Sequence, residues 1–361
     1  MDFPRTVDEI TPEWLTQVLR ESGAIREANV ESFEVSAIEG GMASEVFRVT
    51  PAYDKQEPNS PDSVIAKFSL SDDVQRKYID GFGSYETEVR AYQVFASQSD
   101  MTLPVMHFAD YDSDSGHCCL LIEDLAHLRA ISQRDGQGFE DAKSCVLYLA
   151  RLHSKWWNKP ELLEFGWLRN AADSSKFQMD FDTYNDNVGA LLKVLSGNMS
   201  TELASVIQKF APKVKDVCKK LAREPMTLNH GDFRLANLFF NDSKQNADVV
   251  VPVDWQMVRR ARAGTDLGIF LLTSLKPDDR RNFETQLLAI YYEELVAGGV
   301  SDLSYDELMT DIKLGMLMRL ITITGAIGKL NLDNFNEAWF KNLGERLEVL
   351  VDWNCEEVIP K

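Results

Sequence analysis

Residues 228–256, LNHGDFRLANLFFNDSKQNADVVVPVDWQ, constrain this chain more than any other stretch. They read as a polar loop, a short apolar strand at 238–240, a polar turn at 241–247 and a β-branched strand at 249–253. Pro252 suits the end of that second strand. Antiparallel pairing of the two strands brings Asn237, just before the first, close to Asp254, just after the second, with Asp232 on the loop leading in. An amide and two carboxylates at one corner are hard oxygen donors. They suit Mg²⁺ shared with phosphate groups rather than held in an all-protein cage. The plainer alternative is a surface hairpin with ordinary loop carboxylates.

The interval from Asp232 to Asn237 is the Asp-x-x-x-x-Asn of the kinase catalytic loop, in which the Asp takes the acceptor proton and the Asn binds metal. Asp254, followed by Trp255 and Gln256, falls where kinases place a second metal-binding Asp. HGDFRLANL at 230–238 followed by VDWQ at 253–256 resembles the phosphotransferase family of aminoglycoside phosphotransferases and choline kinases. That resemblance implies an α+β, protein-kinase-like fold of two lobes. The N-terminal lobe, 1–124, would carry an antiparallel sheet with helices and bind nucleotide. The C-terminal lobe, 125–361, would be mainly helical and hold the catalytic loop and the acceptor. ATP or another nucleoside triphosphate and Mg²⁺ are the implied cofactors, and a small hydroxylated molecule the implied substrate.

Earlier in the chain, Thr11-Pro12-Glu13 reads as an N-cap, a first-turn proline and an acidic first turn for a helix over 12–22 that Gly23 stops. Apolar positions across 30–50 imply two strands joined by Glu39-Gly40-Gly41-Met42-Ala43-Ser44. Gly40 and Gly41 allow close backbone approach to a phosphate, with Ser44 beside them, although a Gly pair also serves as a plain hairpin turn. Residues 51–61, with three prolines, read as a mobile polar loop. In the strand at 64–68, Lys67 interrupts an apolar run and needs a partner. Glu88, 21 residues on in a helix over 85–95, is that partner by resemblance to the kinase Lys–Glu pair, with Glu86 the competitor if the helix is rotated.

CCLLIEDL at 118–125 is a buried strand ending in acids. In the family this segment joins the lobes and binds the adenine edge, which makes the Glu123 carbonyl and the Leu125 N–H the candidates here. A long helix covers 139–157, and His153 on its apolar face is read as a hydrogen-bonded core residue that helps hold the catalytic loop. The aromatic segment 158–186 either packs or meets the acceptor. By the resemblance Asp266, in Gly264-Thr265-Asp266-Leu267, braces the catalytic loop through its backbone. Arg259, Arg260 and Arg262 read as a solvated basic loop, or as partners of a phosphate or an acidic acceptor. The remainder, 279–358, reads as amphipathic helices broken at Gly298-Gly299 and at Gly325.

The implied roles are Asp232 as base or orienter of the acceptor hydroxyl and Arg234 as counter-charge for the moving phosphoryl group. Asn237 and Asp254 hold metal, and Lys67, steadied by Glu88, meets the α- and β-phosphates. Only residues 255–265, 11 in all, separate Asp254 from Asp266, which leaves no room for the peptide-docking segment of a protein kinase. A catalytically silent nucleotide-binding module is the rival from another class, and a dinucleotide oxidoreductase lacks its Gly-x-Gly-x-x-Gly. A net charge of −19 argues against nucleic acid and mildly favours a cationic or neutral acceptor. Five cysteines without pairing or metal spacing, no signal-like N-terminus and no membrane-length apolar run point to a cytoplasmic protein. No membrane and no protein partner are implied. Arg319 interrupts the most apolar C-terminal run, 314–327.

Overall fold

The computed structural model describes residues 3–38, 43–95, 101–172, 174–329 and 337–361, the side chains of 174–180 and 329 excepted. The chain divides into two compact units, 1–129 together with 251–257, and 130–250 together with 258–361. The short stretch carrying Asp254 therefore belongs with the first unit.

The first unit opens with helix α1 (Pro12–Glu21), whose capping residue Thr11 accepts the Trp14 N–H at 3.1 Å through Oγ1. The chain leaves α1 through Gly23 at φ +77°, a conformation costly to any residue with a Cβ. Leu15, Val18 and Leu19 of α1 pack into a core with Val49, Val64, Ala66 and Phe68. Those last residues come from a five-stranded sheet of β1 (Val30–Ala37), β2 (Ser44–Tyr53), β3 (Val64–Ser69), β4 (Met106–Asp112) and β5 (His117–Glu123). The order is β1-β2-β3-β5-β4 with every neighbouring pair antiparallel. Two helices, α2 (Asp73–Gly81) and α3 (Ser84–Phe95), complete the unit, and Asp72 caps α2 by accepting the Gln75 N–H at 2.8 Å.

The expected loop at 51–61 starts later than the three prolines suggest, because β2 continues to Tyr53. Pro51 pairs with Phe33 of β1, but β3 stops matching β2 at Val49–Val64, so the missing proline N–H falls where β2 has one neighbour. The rest of the loop is tied down. Glu57 accepts the N–H groups of Arg26, Glu27 and Ala28 at 2.7–2.8 Å, and Asp54 accepts that of Asn29 at 2.8 Å.

The second unit contains α4 (Phe139–Lys155), α5 (Glu161–Glu164), α6 (Ser174–Val194), α7 (Thr201–Phe210), α8 (Val214–Leu221), α9 (Gly264–Thr273), α10 (Pro277–Ala297), α11 (Tyr305–Lys329), α12 (Glu337–Leu347) and α13 (Val349–Asp352). A small sheet places Arg259–Ala261 between Thr227–Asn229, antiparallel, and Arg169–Asn170, parallel. Helix α9 is mostly apolar and buried along its whole length, Asp266 in its first turn included. It approaches α11 closely because both lack side chains at the crossing. A Cβ on Gly264 would lie 2.5 Å from the Asp311 carbonyl carbon, one on Gly268 2.5 Å from the Ile312 oxygen, and one on Gly315 2.8 Å from the Gly264 oxygen.

Gly298-Gly299 does end a helix, α10, whereas Gly325 lies within α11 instead of breaking it. A Cβ at Gly325 would meet Thr183 Cγ2 of α6 at 2.7 Å, so that glycine serves close packing. In the aromatic segment Tyr184 is fully buried, packs edge-on against Phe210 at 5.0 Å and donates to the Ile207 carbonyl at 3.0 Å. No described helix is long and apolar enough to cross a membrane.

Candidate active site

In the first unit the chemistry gathers around Lys67. Its place on β3, opposite Leu120 of β5, sets a charged side chain among apolar neighbours. Lys67 Nζ donates to Glu88 of α3 at 2.8 Å and to Asp254 Oδ1 at 2.7 Å. Glu86, the competing partner, instead faces Arg90 at 3.9 Å on the exposed side of α3. Asp254 sits at φ +67°, a left-handed conformation that Asp tolerates better than most residues. Trp255 anchors it, fully buried and 6.4 Å from the Phe95 ring of α3, while Gln256 Nε2 donates to Asp254 Oδ2 at 3.2 Å.

One ammonium thus serves two carboxylates. Burial pulls the Lys67 pKa down, but the charges of Asp254 and Glu88 outweigh it and the net shift is upward. Burial raises Glu88, Lys67 lowers it in part, and the Asp254 charge raises it again, leaving it well above the usual carboxylate range. The cluster is short of positive charge, which an additional cation would supply. Ser44 opens β2 with its side chain buried and its Oγ without a hydrogen-bond partner among the described residues. Gly40 and Gly41 lie outside the described residues. Glu123 closes β5 opposite Val64, and Leu125 opens a single 3-10 turn capped by Asp124.

In the second unit Asp232 follows the buried strand Thr227–Asn229. Asp266 at the start of α9 accepts the His230 N–H at 2.6 Å and the Gly231 N–H at 2.8 Å, the brace expected of it. Gly231 stands at φ +83°, which turns the loop between strand and Asp232. Phe233 is buried, stacked on Tyr148 of α4 at 5.9 Å and 6.0 Å from Phe270 of α9. Further along, the Leu235 N–H donates to Ser274 Oγ at 3.2 Å and the Ala236 N–H to Gln133 Oε1 at 3.1 Å. His153 is fully buried, 2.7 Å from the Tyr291 hydroxyl and 3.5 Å from Asp266, which fits the structural role assigned to it.

Asn237 Nδ2 donates to the Asp232 carbonyl at 3.0 Å and to Asp232 Oδ2 at 2.9 Å. Both bonds use the amide nitrogen, and the amide oxygen Oδ1 is the atom a metal ion would take. Arg234 Nε bridges both oxygens of Asp232 at 3.2 and 3.0 Å. The third partner is Arg319 of α11, whose Nη1 donates to Asp232 Oδ1 at 2.7 Å. Burial raises the Asp232 pKa, but Arg319 and Arg234 more than reverse this and hold the carboxyl below its ordinary value. Sequence reading did not place Arg319 here. The available signal was an arginine inside the apolar run 314–327, where a cation needs a counter-ion.

The solvated-loop reading of the arginines after Met257 does not hold. Arg259 is buried, and Arg262 forms a buried pair with Asp311 of α11 at 2.6 Å. They lie on and just after the central strand Arg259–Ala261, where Arg262 ties that strand to α11.

The sheet-and-helix unit with its Lys–Glu pair, and the helical unit with its braced Asp-x-x-x-x-Asn loop, have the protein-kinase-like fold of solved small-molecule kinases. Solved structures with the same fold include amicoumacin kinase hAmiN in complex with AMP-PNP, Ca²⁺ and amicoumacin, at TM-score 0.54 and 13% identity over 98% of this chain and 96% of that one. A microcompartment-associated aminopropanol kinase matches at TM-score 0.54 and 12% identity over 95% and 99%. A GDP complex of an aminoglycoside 2′-phosphotransferase matches at TM-score 0.54 and 12% identity over 96% and 98%. No curated protein sequence matches this chain. The chain belongs to the ecdysteroid kinase-like family, whose model matches residues 39–305.

Proposed function

We propose that this protein transfers the γ-phosphoryl group of a nucleoside triphosphate, ATP in the first instance, to a hydroxyl of a small molecule. The observation that carries this reading is Lys67 held between Glu88 and Asp254. As packing alone that trio is a poor arrangement, because a buried ion pair with a surplus carboxylate remains uncompensated. A phosphate-binding lysine beside a cation-binding carboxylate uses all three groups.

In this reading Lys67 meets the α- and β-phosphates and Glu88 steadies it. Gly40, Gly41 and Ser44 are assigned to the phosphates, the Glu123 carbonyl and the Leu125 N–H to the base edge. Asn237 and Asp254 are assigned to Mg²⁺ by the family resemblance, and the ion when bound would neutralise charge on the β- and γ-phosphates. Asp232 accepts and orients the acceptor hydroxyl. As the acceptor oxygen forms its bond to phosphorus, the bridging bond to the β-phosphate breaks and the nucleoside diphosphate leaves with the electron pair. The hydroxyl proton passes to Asp232 and on to solvent. With its carboxyl held below the ordinary value, Asp232 works first by orientation and takes the proton late.

The family description points to ecdysteroids, and the solved relatives act on or bind amicoumacin and amino alcohols. The test is Mg²⁺-ATP with a panel of ecdysteroids, amino alcohols and aminoglycosides, reading phosphate monoester by mass spectrometry. One phosphorylated product with matching ADP release supports the assignment. Nucleotide binding with no product across the panel counts against it.

A further inference from the structure

The Asp232 carboxylate is full. Oδ1 accepts from Arg319 Nη1 at 2.7 Å and Arg234 Nε at 3.2 Å, and Oδ2 from the same Arg234 Nε at 3.0 Å and Asn237 Nδ2 at 2.9 Å. An ionised carboxylate offers about four lone-pair positions. A hydroxyl that must donate to Asp232 therefore has to displace one of these donors.

The three are not equally displaceable. Arg319 is rooted on α11, which the glycine crossing locks to α9, and its side chain is 12% exposed. Asn237 is buried and doubly bonded to Asp232. Arg234 is on the loop itself, with its side chain 30% exposed, and its one Nε lies across both oxygens. Its departure opens Asp232 at both.

Building on the phosphotransfer reading, we propose that Arg234 is a removable cap that keeps water off Asp232, and that the acceptor molecule displaces it. Arg319 is the fixed counter-ion that stays. An acceptor can spend binding energy from its remote parts on moving a guanidinium from a carboxylate, whereas water has none to contribute. The cap thus discriminates between the intended hydroxyl and the solvent. The reaction it suppresses is hydrolysis: the water oxygen bonds to the γ-phosphorus, the bridge to the β-phosphate breaks, nucleoside diphosphate and phosphate leave, and the proton goes through Asp232 to solvent.

The sign of one substitution separates this role from the counter-charge role expected of Arg234. Acceptor-free Mg²⁺-ATP hydrolysis is measured for the intact chain, Arg234→Met, Arg234→Lys and the double variant Arg234→Met/Asp232→Ala. A lost charge-assisted bond converts to a rise of roughly tenfold in Arg234→Met. The rise is smaller in Arg234→Lys, which keeps charge without the fork, and absent in the double variant. Hydrolysis that falls or stays level in Arg234→Met overturns the cap, as does a rise that survives loss of the Asp232 carboxylate. Arg234→Lys carries the same test if the methionine variant does not fold. Calorimetry with Mg²⁺-AMP-PNP separates the two levels of failure. If the intact chain does not bind the analogue, the phosphotransfer reading itself falls; if both proteins bind it and hydrolysis does not rise, only the cap falls.

Discussion

Asp254 combines two unfavourable features, a left-handed backbone and a second carboxylate beside a single lysine. Strain and like charge of this kind persist where a ligand uses them. Asp254→Asn keeps a residue that tolerates the backbone and removes the surplus charge, so it should melt no lower than the parent while turnover falls by about a hundredfold or more. Asp254→Ala should in addition lose about 1–2 kcal/mol for the left-handed conformation. Thermal melting and steady-state kinetics on the same preparations check both. Arg319→Met removes the fixed counter-ion of Asp232. Its kcat should fall by about tenfold or more with the KM for nucleotide unchanged, and Arg319→Lys should recover part of it. A matched loss in both constants would assign Arg319 to nucleotide binding instead.

At the scale of elements, α9 carries the Asp266 brace and is seated on α11 through Gly264, Gly268 and Gly315. Gly268→Ala places a methyl against the Ile312 carbonyl and should cost about 1–3 kcal/mol by overpacking, read as a lower urea midpoint. In the first unit Asp124, at the end of β5, accepts Arg48 Nε at 2.5 Å and Ser63 Oγ at 2.6 Å. Burial raises its pKa, and the Arg48 and Ser63 bonds outweigh burial and lower it. A carboxyl depressed on folding stabilises fully above its unfolded value of about 4, and that contribution is lost as pH falls through the folded value. Asp124→Asn should therefore flatten the acid limb of a stability-against-pH curve below about pH 4 and leave its neutral region lower. The strands and the Lys67–Glu88 pair were legible in the sequence because a lysine in an apolar strand demands a counter-charge, and the family resemblance points to Glu88 on the helix two elements on. The packing of α9 on α11 was not, because a glycine inside a helix reads equally as a break and as a contact. Gly325 reads as the first and is the second.

For the whole molecule, the net charge of −19 describes the surface and not the candidate site, where Asp232 meets two guanidinium groups. The Asp-x-x-x-x-Asn interval is legible as a short spacing, whereas the Asp266 brace, 36 positions from His230, is legible only through the family resemblance. Arg319 lies 87 positions from Asp232, and no short-range pattern joins them. The central claim is that Asp232 directs phosphoryl transfer from a magnesium-bound nucleotide to a hydroxyl. Its most direct test is Mg²⁺-dependent ATP consumption by the intact chain with the hydroxylated panel, with Asp232→Ala alongside. The account predicts acceptor-dependent turnover, abolished by chelation and lowered by about a thousandfold or more in the variant. Full turnover in Asp232→Ala would contradict it, and nucleotide bound without turnover on any acceptor would favour a silent nucleotide-binding module.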